Sequence, residues 1–362
     1  MWRKLAAFMR FDQGAGGAVK QPAGKTQPAT PPGLEEVSFA PNPGNLRMFQ
    51  YLPPGLGAGA PLVVILHGCG QTAGGYDRGA GWSQLAGEFG FALLAPEQKA
   101  ANNPNTCFDW FNPEDITRGE GEAASIARMI QTMVETHRLD TTRIFITGLS
   151  AGGAMTAAML AVYPEMFAGG AIIGGLPFGA AQNVRDALES MRGAPLRTPA
   201  QWGDAVRSAS SHKGPWPRIS VWHGGLDAVV NVNNAQASVA QWADLHGVSL
   251  MDASQQMVDG AIRLNWGDRL EVYTLPALGH GTPINSRDLG QPGPFILEAG
   301  ISSSRRIAEF WGLAAPAALS AGGEPQALPK IEAALLHRSE PAGQDIENII
   351  RRALRAAGLL KR

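Results

Sequence analysis

Gly148-Leu149-Ser150-Ala151-Gly152 stands between an apolar run at 143–147, which reads as a strand, and an Ala- and Met-rich stretch at 153–161, which reads as a helix. A G-x-S-x-G pattern alone recurs by chance. With a strand before it and a helix behind it, it reads as the sharp turn that exposes a nucleophilic serine at the end of a parallel strand. In such a turn, strand and helix approach so closely that the positions two before and two after the serine tolerate almost nothing larger than glycine. The bland alternative is a glycine-rich turn without catalysis, and only further residues at the ends of other strands can decide between them.

The rest of the chain supplies those strands. Short apolar runs at 46–52, Leu62–Leu66, 91–95, 171–173, 219–222 and Leu270–Leu275 read as strands, and helical spacing recurs between them, as in Ile126, Ile130, Met133 and Val134 within 120–137 and in Val239, Trp242 and Leu245. Strands alternating with helices predict βαβ crossovers and an α/β fold, with a mostly parallel central sheet covered by helices on both faces. The predicted organisation is a flexible Gly/Pro-rich leader at 1–34, one catalytic domain at 35–312, a linker at 313–330 and an amphipathic helix at 331–362. Within the domain, 178–217 is long for a plain connection, contains a helical stretch at 181–191, and is expected to act as a lid. The terminal helix, apolar through Ile346, Ile349, Ile350 and Leu354 and basic through Arg351, Arg352 and Arg355, is expected to dock on the body or on a second copy of the chain.

With 44% hydrophobic residues and a formal charge of -1, the 362-residue chain can bury a large core and carries no basic field for nucleic acid. No stretch approaches the ~18 consecutive apolar residues of a membrane span. Residues 5–9 are too short for the apolar region of a secretion signal, about 7–15 residues. Two cysteines, Cys69 and Cys107, rule out a disulfide framework.

A serine hydroxyl needs a base to take its proton and a third group to orient that base. In this class of fold the chain order is serine, acid, histidine. His280 follows the strand Leu270–Leu275, whereas His246 lies in a helical stretch and His337 near the tail, so His280 is the expected base. Asp227 follows the 219–222 strand and is the expected acid; Asp204 and Asp244, on helical stretches, are the fallbacks. His223 reads as a buried structural residue. Leu66-His67-Gly68-Cys69-Gly70 leaves an apolar strand as a tight turn with free backbone N–H groups. The Cys69 and Ala151 N–H groups are therefore expected to form the oxyanion hole, with His67 as a packing and hydrogen-bonding neighbour. No further Cys or His spacing completes a zinc site with His67 and Cys69, and no nucleotide motif is present, so neither metal nor organic cofactor is expected.

LHGCGQT at 66–72, CFDWF at 107–111, RGEGEAASI at 118–126 and GLSAGGAM at 148–155, in this order, resemble the polyhydroxybutyrate depolymerase family of α/β-hydrolase esterases. The resemblance covers roughly residues 35–312. It implies a Ser150–Asp227–His280 triad, an oxyanion hole at Cys69 and Ala151, a Cys69–Cys107 disulfide and a substrate cleft lined by Trp110, for which an ordinary core position is the alternative. It further implies a serine esterase that cleaves hydroxyalkanoate esters and oligomers. The same broad family contains feruloyl and acetylxylan esterases, so a carbohydrate-ester substrate is the rival expectation, and a catalytically silent binding protein on the same fold is the remaining one. Family members act outside the cell; the unreadable N-terminus leaves the cytoplasm as the alternative.

Overall fold

Parallel strands covered on both faces must be apolar on both faces, and the centre of this molecule follows that rule. In the computed structural model, which describes residues 33–314, strands β3 (Leu62–Leu66), β4 (Ala92–Glu97), β5 (Ile144–Leu149) and β6 (Gly169–Ile173) are buried along their whole length. Side chains alternate between the two faces: Leu62, Val64 and Leu66 enter one core, Val63 and Ile65 the other. The expected leader up to residue 32, and all of the linker and terminal helix beyond residue 314, lie outside the described residues.

The main sheet also contains β1 (Glu35–Val37), β2 (Arg47–Tyr51), β7 (Arg218–Gly224), β8 (Ser254–Val258), β9 (Ala261–Trp266) and β10 (Leu270–Leu275). Its order is β1-β2-β4-β3-β5-β6-β7-β10-β9-β8. From β4 to β10 neighbouring strands run parallel; β1 and β2 at one edge, and β9 and β8 at the other, are antiparallel. A small parallel pair, β11 (Thr282–Ile284) and β12 (Ile296–Glu298), follows the sheet.

The α-helices of the described residues are α1 (Ala73–Ala80), α2 (Trp82–Phe89), α3 (Pro113–Ile116), α4 (Gly121–His137), α5 (Ala151–Val162), α6 (Val184–Arg192), α7 (Pro199–Arg207), α8 (Asn233–His246) and α9 (Ser303–Phe310). One core lies under α4, α5, α7 and α8, through residues such as Ile130, Met155, Trp202 and Trp242. The other lies under α1, α2 and α9, through Tyr76, Trp82, Leu85 and Ile307. All twelve residues of α5 are buried, so it is enclosed by the body and has no solvent face.

Three differences from the sequence expectation have physical reasons. Strands β5 and β7 run two residues past their apolar runs, because ladder pairing continues through Gly148 and Gly224 regardless of side chain. The β8–β9 hairpin was not expected from Ser254–Val258, whose first four residues are exposed on a polar edge strand; its turn, Asp259-Gly260, has positive φ at both residues and was the available signal. Segment 178–217 holds two helices where one was expected. The unforeseen α7 opens with a capping box between Thr198 and Gln201 and is anchored in the body, with Trp202 buried and its carbonyl accepting from Gln241 of α8.

Candidate active site

Three turns at the carboxyl ends of parallel strands converge on one cleft. The first is at the end of β5, where Ser150 has φ 57° and ψ -117°. A non-glycine residue held there costs on the order of 1–3 kcal/mol, offset by its surroundings. Its N–H donates to the Ile173 carbonyl at 2.8 Å and its carbonyl accepts from Ala154 at 2.9 Å, which locks the turn between β6 and α5. Gly152 lets α5 start directly against β3: a Cβ there would lie 2.3 Å from the Leu66 carbonyl oxygen.

The second and third turns hold Asp227 and His280, 53 residues apart in sequence. His280 Nδ1 lies 2.7 Å from Asp227 Oδ2, while Asp227 Oδ1 accepts the Val229 and Val230 N–H groups at 2.9 and 2.8 Å. Burial pushes the Asp227 carboxyl up, but His280 and the Val230 N–H together outweigh it and hold the group below the usual carboxylate range. Gly224 makes this meeting possible, since a Cβ there would lie 2.2 Å from the Gly279 carbonyl oxygen. His223 is buried behind the acid, its Nε2 2.8 Å from the Val230 carbonyl and 3.4 Å from Asp227 Oδ2. Burial lowers its pKa, which favours a neutral ring that donates to Val230. Asp204 and Asp244 are not part of this cluster; both pair with Arg207, at 2.8 and 2.6 Å.

The turn after β3 faces the serine. Cys69 of this turn and Ala151, directly after the serine, both line the same cleft. Cys69 is disulfide-bonded to Cys107, with 4.2 Å between their Cα atoms, and the Gly70 N–H donates to the Asn105 carbonyl at 2.8 Å. Both links tie the turn to the 103–111 loop. His67 is fully buried beneath it, in contact with Phe108.

Ser150, Ala151, Cys69 and His280 line one cleft. Trp110, 8% exposed, packs edge-on against Phe111 and also lines this cleft. The remaining wall was not anticipated: Val184, Leu188 and Met191 of α6, together with Leu176, Val229 and Phe295. The helical spacing of the α6 residues was a signal for a buried face, though not for which cavity it faces. Phe295, edge-on to His280 from a Gly/Pro-rich loop, had none. Among the described residues no helix is long and apolar enough to cross a membrane.

Comparison with known proteins identifies the family. The family model described as esterase PHB depolymerase matches residues 46–265. Poly(3-hydroxyalkanoate) depolymerase C of Paucimonas lemoignei is 42% identical over 291 residues, which cover 77% of this chain and 70% of that protein. Feruloyl esterase B of Thermothelomyces thermophilus is 31% identical over 273 residues, 71% of this chain and 91% of that one. Among solved structures, the acetyl xylan esterase from Aspergillus awamori superposes with a TM-score of 0.68 at 25% identity, covering 78% of this chain and 99% of its own.

Proposed function

Because the chain belongs to the esterase PHB depolymerase family of α/β-hydrolase carboxylic-ester hydrolases, we propose that it cleaves short hydroxyalkanoate esters and oligomers through an acyl-enzyme on Ser150. His280 takes the Ser150 proton as the hydroxyl attacks the ester carbonyl, and Asp227 holds the imidazole in the required tautomer and stabilises its cation. The tetrahedral oxyanion is received by the Cys69 and Ala151 N–H groups. Collapse expels the alcohol, protonated by His280, and water then releases the acid by the same route. The 35–312 region is the catalytic body in this reading, with 178–217 contributing the α6 wall.

The observation that carries the substrate class is the lining of the cleft. Besides the groups that react, the polar side chains among the lining residues are the Trp110 indole, which can only donate, and Asn103, whose amide donates to Asp109 and whose carbonyl accepts the Asn105 N–H. Recognition of a sugar requires side chains free to pair with several hydroxyls, whereas an alkyl-substituted hydroxy acid needs apolar walls. The carbohydrate-ester reading is favoured by the feruloyl and acetyl xylan esterase matches, and Trp110 and Phe111 offer aromatic surface to a feruloyl ring. The Cys69–Cys107 bond supports an oxidising, extracellular location.

The test compares kcat/KM on a 3-hydroxybutyrate trimer, a feruloylated sugar and an acetylated xylo-oligosaccharide, with Ser150→Ala as control. The trimer should be preferred, and Ser150→Ala should lose about 10³-fold or more in kcat. Preference for either sugar ester would transfer the assignment to the rival class, and wild-type turnover by folded Ser150→Ala would end the serine mechanism.

A further inference from the structure

An oxyanion donor works only if it is aimed to within a few tenths of an ångström, so whatever orients the Cys69 N–H belongs to the machinery. That N–H and the Gly68 carbonyl sit on one planar peptide unit, pointing in opposite directions, so a group that holds the carbonyl also aims the N–H. The Gly68 carbonyl lies 2.8 Å from His67 Nδ1. A carbonyl can only accept, so Nδ1 carries the proton there, and Nε2 of the buried ring is left as an acceptor. It accepts the backbone N–H of Gln98 at 3.1 Å, and burial, which lowers the His67 pKa, keeps the ring neutral and able to do so.

The Gln98 side chain reaches the other side of the same turn. Its Nε2 donates to the Cys107 carbonyl at 3.1 Å and to Glu122 Oε1; its Oε1 accepts from the Lys99 N–H at 2.9 Å and from Asn102 Nδ2 at 2.7 Å. Two donors and two acceptor sites exhaust what a glutamine amide can make, so the group has a single orientation. Glu122, 1% exposed, accepts the Asp109 N–H at 2.9 Å through its second oxygen and so ties Gln98 to the loop that carries Cys107 and Trp110.

We propose that Gln98 is a positioning residue for the oxyanion hole, anchored by Glu122. Its backbone N–H aims the Cys69 N–H from one side, through His67 and the Gly68 carbonyl, and its side-chain amide from the other, through Cys107 and the disulfide; Gln98→Met removes the second arm and leaves the first. This rests on Cys69 being an oxyanion donor, as argued above. Asp109 and Asp115 lie with Glu122 in a group whose carboxylate oxygens are within 4.8 Å of one another, but their amide partners are Asn103 and Asn112, so they support the anchor without touching the turn.

The discriminating measurement separates transition-state from ground-state binding. Gln98→Met keeps length and removes the amide; kcat on a p-nitrophenyl ester should fall roughly 10-fold with KM within about twofold, less than the 10²–10³-fold of deleting a donor outright because the N–H is displaced and not removed. The inhibition constant of a trifluoromethyl ketone, whose serine adduct places an oxyanion in the hole, should rise by the same factor. Ser220→Ala, which breaks a buried network in β7 far from the turn, serves as the control that lowers stability alone. If Gln98→Met is too unstable to assay, Glu122→Gln provides the same readout through the anchor. Unchanged kcat and ketone affinity in folded Gln98→Met or Glu122→Gln protein would overturn the proposal and leave the network a purely structural role. Retained activity in Ser150→Ala would instead overturn the underlying site assignment.

Discussion

Removing the Cys69–Cys107 bond should weaken the molecule by an amount that the chain length sets. The bond closes a loop with a sequence separation of 38 residues. Releasing it restores loop entropy to the unfolded chain worth about 3.9 kcal/mol at 25 °C, taking the loop-closure relation at face value. At roughly 2–4 °C per kcal/mol for a large domain, that corresponds to a fall in Tm of about 8–16 °C. The native arrangement should survive, because the Gly70 N–H to Asn105 carbonyl bond and the Gln98 amide still join the two turns. The suitable variant is Cys69→Ala with Cys107→Ala, since Cys107 is 4% exposed and a serine there would bury an unpaired hydroxyl. Scanning calorimetry of this variant, and of the wild type with and without reductant, gives the stability change; p-nitrophenyl ester turnover gives the functional one, expected to be about 10-fold lower through a looser oxyanion turn. A Tm within 2 °C of the oxidised protein, about the effect of a single kcal/mol or less, together with unaltered turnover, would contradict both halves of the argument.

Asp227→Asn should lower kcat by on the order of 10²–10⁴-fold by favouring the wrong His280 tautomer, whereas Asp204→Asn, which only breaks a surface pair with Arg207, should leave it unchanged; the reverse order would reassign the acid. Gly152→Ala should cost ~3 kcal/mol or prevent folding, because its Cβ meets backbone oxygen that cannot move aside; a near-wild-type urea midpoint would show that α5 can retreat from β3. Burial, and then the facing charge of Asp115, raise Asp109 from 3.8 to about 6. The folded state therefore binds more protons there than the unfolded chain, and the stability this gives below about pH 4 is lost as pH rises through about 6. Asp109→Asn should accordingly gain Tm relative to wild type as pH rises from about 3 to about 7, roughly one unit beyond those values on either side, with at most about 1 kcal/mol at stake for a partly exposed group; a pH-independent difference would show that the carboxyl stays solvated.

The alternation of apolar strands with helical stretches was enough to give an α/β fold with a parallel sheet, because strands buried on both faces must be continuously apolar and helices between them must show a 3.6-residue period. The turn at Ser150 could be expected from its pattern because Gly148 must clear Gly152 within the turn itself, whereas Gly152 must clear the Leu66 carbonyl of β3, a contact between segments far apart in sequence. His280 and Asp227 were expected as residues just beyond strands. That one carboxylate reaches the imidazole while Asp204 and Asp244 turn to Arg207 is a matter of contacts between segments far apart in sequence. The same holds for the α6 wall and Phe295, whose apolar character fits a core as well as a cleft. Gln98 left no trace in any pattern, and Glu122 stood only within the RGEGEAASI stretch at 118–126 without a sign of its partners, since a polar residue in a sequence carries no mark of what it will bond. Periodicity and local sterics act within a few residues and can be read along the chain; hydrogen-bond partnership and cavity shape exist only once strands β3, β4, β5, β7 and β10 lie side by side, so the tertiary structure alone decided them.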